Sequence, residues 1–387
     1  MNTEELFKTI DSLEEEYIHF WADVCRLESP TDCKEGVDAV GRYFADAAAK
    51  KGWTVEVHHE EISGDAVAVT LHPEAPGAPV CFSGHMDTVH PVGCFGPETV
   101  RFEEGVIHAP GAVDCKGGCV AGFMAMDALD RMGFRDRPVR LILQSDEETS
   151  SKGSRKRTVD FMEEMSRGAA AFLNLEPMGN PPAGEATTVI RRKGIIRYRL
   201  TVHGKAIHSA SCFAGVSAVA EAAHKILELE KMKDRSGLTC NCSLLSGGSS
   251  ANSVPDLCSF TADIRFPSES YLREAEETVK RIAETSFLPG SSCELEVVSR
   301  RDSLEENEQN RALLERVNRL MEEAGLPRLR AISSPGGSDA ADMTTRGIPT
   351  LDSIGVRGTG IHSVNERGIL PSLAEAAKRS ALIAAGL

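Results

Sequence analysis

The sequence predicts an α/β protein with a mostly parallel sheet, into which a smaller ferredoxin-like α+β domain is inserted. Three observations carry this. Strand-length apolar runs alternate with helix-period segments in the first and last parts of the chain, the pattern of a parallel sheet covered by helices on both faces. Between those parts, from about residue 187, the order changes to βαββαβ. Acidic and imidazole side chains collect just after the strands of the first pattern, where sites form in open α/β sheets.

The elements follow in order. Leu6, Ile10, Leu13, Tyr17, Phe20 and Val24 recur at helical spacing, so an amphipathic helix opens the chain. A second helix is expected from about Gly36 to Lys51, then the short β-rich runs WTVEV, DAVAVTL and PVCFS. A helix from Lys116 to about Arg131 and the strands VRLILQS and AAFLNLE complete the first part of the large domain, residues 1–186. In the insertion, 187–299, the strand IIRYRLTVH precedes a helix from about Val216 to Lys231 and the strands LTCNCSLL and LCSFTADIRF. A helix over Glu269–Glu284 and the strand CELEVVS finish it. The large domain resumes over 300–387 with a helix around Asn310–Ala324, the strand IPTLDSI and a closing helix from Pro371.

Composition narrows the function classes. With 387 residues the chain is long enough for two or three domains. Its 41% hydrophobic and 26% charged residues are ordinary for a globular protein. A net charge of −15 argues against nucleic acid or an anionic membrane surface as a partner. No basic n-region with an apolar h-region opens the sequence, and no run approaches about 18 apolar residues. The 11 cysteines show no CxxC pair, which suits a reducing compartment. Together these features give a cytoplasmic expectation.

Five segments place a metal-binding residue type at one end of one sheet. His85 follows PVCFS, in SGHMDTV. Asp114 precedes the helix at Lys116, in PGAVDCKGG. Glu148 follows VRLILQS, Glu176 follows AAFLNL, and His362 follows PTLDSIG and a glycine-rich turn. Two imidazoles and three carboxylates suit two divalent ions, each with one imidazole, one terminal carboxylate and a share of a bridging one. Nitrogen and oxygen donors with an open position for water point to catalytic Zn²⁺, with Co²⁺ or Mn²⁺ able to substitute. Asp87 lies two residues after His85, so both side chains point one way on an extended backbone, and Asp87 can orient the ring. Glu147, beside Glu148, suits a general base.

These motifs resemble the M20 family of metallopeptidases and amidohydrolases over essentially the whole chain, most of all its glutamate carboxypeptidase (carboxypeptidase G2) type. The resemblance implies a zinc-exopeptidase-like catalytic domain with an inserted lid and dimerisation domain. It implies that Asp114 bridges two Zn²⁺, that His85 and Glu176 hold one ion, and that Glu148 and His362 hold the other. HGKAIHSA resembles the segment whose histidine, here His208, reaches across a dimer interface toward the scissile bond. ANSVPDLCSFTADIRF resembles the segment whose asparagine and arginine, here Asn252 and Arg265, bind a substrate carboxylate. GGSDA resembles a glycine-rich turn lining the substrate pocket, here Gly336 and Gly337.

The activity implied is hydrolysis of an amide bond beside a free carboxylate in a small N-acyl amino acid or peptide, by a homodimer. N-acyl amino acid deacylases of the acetylornithine or succinyl-diaminopimelate kind share every ligand and remain the alternative. Family aminopeptidases resemble the chain less, since they tend to carry aspartate where Glu176 stands. A binding protein that kept the fold would have no need of Glu147. Cys115 stands where methionine or aspartate is more familiar; its thiol either points into the core or is open to oxidation and metal capture. The basic run SSKGSRKRTVD reads as a solvated loop or a selector of substrate charge. His90 reads as a loop residue, and His58, His59 and His72 as surface groups.

Overall fold

The computed structural model describes residues 1–148, 155–182, 184–235 and 237–387. By its internal contacts the chain forms two compact units. One comprises Met1–Ile190, Glu306–Ser333 and Ser338–Leu387; the other comprises Arg191–Glu305 and Ser334–Gly337.

The larger unit opens with helices α1 (Thr3–Arg26) and α2 (Lys34–Lys50). The Asn2 side chain accepts the amides of Glu4 and Glu5 and so starts α1. Leu6, Ile10, Leu13, Tyr17, Trp21 and Val24 form its buried face. Strands β1 (Thr54–His58), β2 (Ala66–Leu71), β3 (Val80–His85), β4 (Arg101–Glu103) and β5 (Val106–His108) follow. Then come α3 (Lys116–Arg131), β6 (Val139–Gln144), α4 (Arg155–Ser166), β7 (Ala171–Asn174) and β8 (Ala186–Arg192).

The smaller unit holds β9 (Gly194–His203), α5 (Ala218–Glu230), β10 (Thr239–Gly247), β11 (Leu257–Phe266), α6 (Glu269–Glu284) and β12 (Ser292–Arg301). Its sheet runs β10-β11-β9-β12 with every neighbour antiparallel. Numbered within the unit, that order is 2-3-1-4, the ferredoxin-like arrangement that the βαββαβ pattern implies. Burial alternates along β9 and β11, as expected for a sheet with one face covered by helices. Inside it, Lys225 donates to the carbonyls of Ile282, Ala283 and Thr285 and pairs with buried Glu221, fixing α5 to the end of α6.

The chain returns to the larger unit with α7 (Glu308–Glu323), β13 (Leu329–Ser334), α8 (Asp339–Thr345), β14 (Thr350–Leu351), β15 (Gly358–Thr359), β16 (Arg367–Ile369) and α9 (Pro371–Gly386). The central sheet has the order β1-β2-β6-β3-β7-β14. Strands β6, β3, β7 and β14 are parallel, whereas β1 and β2 join antiparallel at one edge. The inner strands β3 and β7 are buried throughout, which accounts for their continuous apolar sequence. The last strand is shorter than IPTLDSI suggests. Asp352 accepts from the Asn174 amide, the Ser338 hydroxyl and the Ser353 amide, and Ser353 turns to φ 57, so the ladder ends at Leu351. No helix of the described residues is long and apolar enough to cross a membrane.

Candidate metal centre

The parallel strands bring their carboxyl ends to one edge, and the donor atoms converge there. His85 is the last residue of β3 and is buried. Its Nε2 lies 3.0 Å from Asp114 Oδ1 and 3.6 Å from Glu176 Oε1. His362 Nε2 lies 3.3 Å from Asp114 Oδ2 and 3.4 Å from Glu148 Oε1. Asp114 thus presents one carboxylate oxygen to each imidazole, with Glu176 on one side and Glu148 on the other. Buried carboxylates crowded in this way repel one another unless cations or protons intervene. The donor set, imidazole nitrogen and carboxylate oxygen, fits divalent metal ions.

Without a metal, protons hold the cluster together. Burial opposes charge on His85, yet its bonds to Asp114 and Asp87 hold its pKa well above the usual imidazole range. Hydrogen bonds to Asp114 and Glu148 push His362 up to about 10. Burial raises Asp114, but His362 and His85 outweigh it and hold the carboxyl well below the usual range. Burial pushes Glu148 up to about 7 against the bond from His362. Metal ligands must be unprotonated, so an incoming ion displaces these protons. Loading the metal-free protein at neutral pH is therefore expected to release protons, with affinity falling as pH falls. Calorimetry in buffers of different ionisation enthalpy measures the release; a value of zero would contradict it.

Asp87 fixes the turn that carries the acids. It is fully buried, and its carboxylate accepts the Glu147 amide at 3.1 Å, the Glu148 amide at 3.0 Å and the Thr31 hydroxyl at 2.7 Å. The His85 Nδ1 lies 2.9 Å from the Asp87 backbone carbonyl and 3.4 Å from its carboxylate. Asp87 therefore ties the His85 strand end to the neighbouring turn, as well as facing the ring. Glu147 is buried beside Glu148 in that turn.

One residue of the centre escaped sequence reasoning. Glu366 is fully buried and accepts the amides of Val113 at 2.8 Å, Asp114 at 3.0 Å and Gly111 at 3.4 Å. Its other partner is His90, at 2.7 Å. His90 is thus a buried residue, packed edge-on against Phe95, rather than a solvent-facing loop group. Glu366 closes the motif GIHSVNE, but nothing local separates it from a surface acid. Outer partners of this kind typically contribute about 10–100-fold to metal affinity. Glu366→Gln keeps the size but turns an NH₂ toward donors, and a loss of metal affinity of about that size is expected. Competition with a chromophoric chelator measures it, and unchanged affinity would contradict the assignment.

The basic run is not simply solvated. Arg155 is buried and pairs with Asp339 and Asp342, while Arg157 pairs with the buried Glu60. The rest of that expectation, over 149–154, lies outside the described residues. His58 and His72 are half-buried, bonded to Glu60 and Asp130 respectively; His59 is exposed.

The remaining expected residues belong to the smaller unit. His208 is exposed and its Nδ1 accepts the Ala210 amide at 3.1 Å, opening a 3₁₀ turn over Ser209–Ala214. Asn252 is exposed beside it, its carbonyl accepting the Ser209 amide at 2.9 Å. Arg265, near the end of β11, reaches Asp263 through Nε at 3.3 Å and the Pro335 carbonyl through Nη1 at 3.4 Å. The next two carbonyls, of Gly336 and Gly337, accept from Arg192 at 3.3 Å.

A parallel-sheet edge carrying a histidine–carboxylate cluster, together with a ferredoxin-like insertion, defines a metal-dependent hydrolase class. The pattern of peptidase family M20/M25/M40 matches residues 81–385, and the chain belongs to that family. Carboxypeptidase G2 of Pseudomonas sp. (strain RS-16) is 27% identical over 342 residues, covering 87% of this chain and 80% of that protein. Succinyl-diaminopimelate desuccinylase 2 of Shewanella loihica is 28% identical over 334 residues, covering 81% and 85%. The solved structure of an M20 family metallo-carboxypeptidase from Sulfolobus solfataricus superposes with a TM-score of 0.76 at 18% identity, covering 96% of this chain and 99% of that one. That likeness shows the shared fold.

Proposed function

We propose that the chain is a di-zinc hydrolase that cleaves an amide or peptide bond beside a free carboxylate, as a glutamate-carboxypeptidase-like enzyme. The observation that carries the reading is Asp114, whose two oxygens face two separate imidazoles at 3.0 and 3.3 Å. The similarity to carboxypeptidase G2 supports the carboxypeptidase choice.

Bound by His85, Asp114 and Glu176 on one side and Glu148, Asp114 and His362 on the other, two Zn²⁺ ions would supply Lewis acidity and an acidified water. The chain's own groups do the rest. Glu147 takes a proton from the attacking water and returns it to the leaving amine. Asp87 accepts the backbone amides of Glu147 and Glu148 and so fixes the turn that carries both acids. Arg265 and Asn252 receive the substrate carboxylate, since a planar guanidinium suits that group, and Gly336 and Gly337 line its pocket. His208 donates to the oxyanion, a contribution commonly worth about 2.7–4 kcal/mol.

The active form is proposed as a homodimer through the smaller unit, with His208 acting on the partner chain's substrate. Edge strand β10 supports this surface, with Leu244 79% and Leu245 57% exposed, as does Phe213, fully exposed in the turn after His208. Mixing a Glu147→Gln chain with a His208→Ala chain should then restore part of the activity, because one site of the mixed dimer is intact. Verified subunit exchange with no recovery would contradict the cross-subunit role.

A deacylase reading is favoured by the similarity to the desuccinylase. A hydrolysis screen over N-acyl-glutamates, C-terminal dipeptides, N-acetylornithine and N-succinyl-diaminopimelate separates the two. Turnover confined to the last two would replace the carboxypeptidase assignment.

A further inference from the structure

We propose that Cys115 is a protein ligand on the His85–Glu176 side of the metal centre, giving that position a sulfur donor and a preference for thiophilic divalent ions. The inference rests on the metal-centre reading above and extends it to a side chain outside that donor set. Cys115 is fully buried and forms the N-cap position of α3, directly after Asp114. Its Sγ, a nitrogen of His85 and a carboxylate oxygen of Glu176 all lie within 4.8 Å of one another, and all three residues are buried. The sulfur is held there from two sides. It donates to the Leu175 carbonyl at 3.3 Å, the residue before Glu176. It also packs on Gly84, the residue before His85, where an added Cβ would sit 3.2 Å from the Cys115 sulfur and 2.7 Å from that of Cys119. A side chain at position 84 would push the sulfurs away; glycine lets them approach the strand end.

A thiol pointing into an apolar core would face none of these donors. Cys119 shows the contrast: its sulfur sits behind the strand end against the His85 carbonyl, at 3.5 Å, and belongs to neither converging donor group. The neighbouring Cys119 sulfur, burial and the nearby Glu176 and Asp114 carboxylates hold the Cys115 thiol well above the usual thiol range. Binding breaks its S–H bond: the sulfur keeps the electron pair and shares it with the ion, and the proton passes to solvent. Thiolate donors select softer ions than carboxylates do. The two positions of the centre therefore differ in kind, sulfur-bearing beside His85 and oxygen-rich beside His362.

Metal substitution tests this without any substrate. The full chain is stripped of metal and loaded with Co²⁺ alone, and its absorption spectrum is followed. The expected result is ligand-field bands together with a thiolate-to-cobalt charge-transfer band in the near ultraviolet. Cys115→Ser should abolish the charge-transfer band and keep ligand-field bands, while Cys119→Ser should keep both. Ligand-field bands without charge transfer in the unmodified protein, or a charge-transfer band that survives in Cys115→Ser, would overturn the assignment and leave the metal centre standing. Absence of Co²⁺ binding would overturn the metal-centre reading and this assignment with it. If Cys115→Ser does not fold, cadmium NMR on the unmodified protein decides. One resonance should lie downfield, as sulfur ligation requires; two resonances in the nitrogen–oxygen region would overturn it.

Discussion

Replacing Asp114 by alanine is expected to release both metal ions and reduce turnover to background. Its carboxylate is the group shared by the two imidazoles, with Oδ1 at 3.0 Å from His85 and Oδ2 at 3.3 Å from His362. Removing it takes a donor from each half of the centre at once. It also leaves the two imidazoles facing each other across the gap that the anion fills. The loss of affinity should exceed the about 10–100-fold typical of an outer partner, and should exceed that of Glu176→Ala or Glu148→Ala, each of which strips one side. Equilibrium dialysis followed by elemental analysis measures it. Parent-like affinity at either position in Asp114→Ala would show that the carboxylate is not shared.

Glu147→Gln is expected to do the opposite: keep the metals and lose turnover by about 10²–10⁴-fold, the usual contribution of general acid–base catalysis. The backbone amide of Glu147 is held by Asp87, so the isosteric glutamine should occupy the same place. It accepts hydrogen bonds there but cannot carry the proton. Metal content and thermal stability should therefore match the parent protein while kcat falls. A variant with more than about a tenth of the parent kcat would remove Glu147 from the proton-transfer role that general acid–base catalysis assigns it.

Much of this architecture was legible in the sequence where a period or a run repeats over several residues. The helix from Lys116 to Arg131, the strand over 257–266 and the helix over Glu269–Glu284 have the bounds their patterns suggest. The short strands β4, β5, β15 and β16 form a separate four-stranded sheet that no pattern announced. Two or three residues are too few to show alternation. The strand at 348–354 reads as longer than it is because Asp352 sits inside an otherwise apolar run. Its competing bonds to Asn174 and Ser338 come from elsewhere in the chain.

The same distinction applies to the candidate centre. His85, Asp114, Glu148, Glu176 and His362 could be picked out because each follows a strand or precedes a helix, and the structure brings their donor atoms together. Contacts that span the chain left no local trace. Glu366 reaches the Asp114 amide across 252 positions, so its burial could not be read from GIHSVNE. Arg155 lies in a run of basic residues that reads as solvated, and only the distant Asp339 and Asp342 reveal it as a buried ion-pair centre. The sequence spacing ties Asp87 to its neighbour His85, whereas its carboxylate accepts amides about sixty positions on, a link that helps place Glu147.

The most direct test of a two-ion centre is metal analysis of fully loaded protein, with turnover measured on the same samples as ions are withdrawn. Two divalent ions per chain are expected at full activity, with a loss of turnover as they are withdrawn. Full turnover with a single ion per chain, or with none, would contradict it.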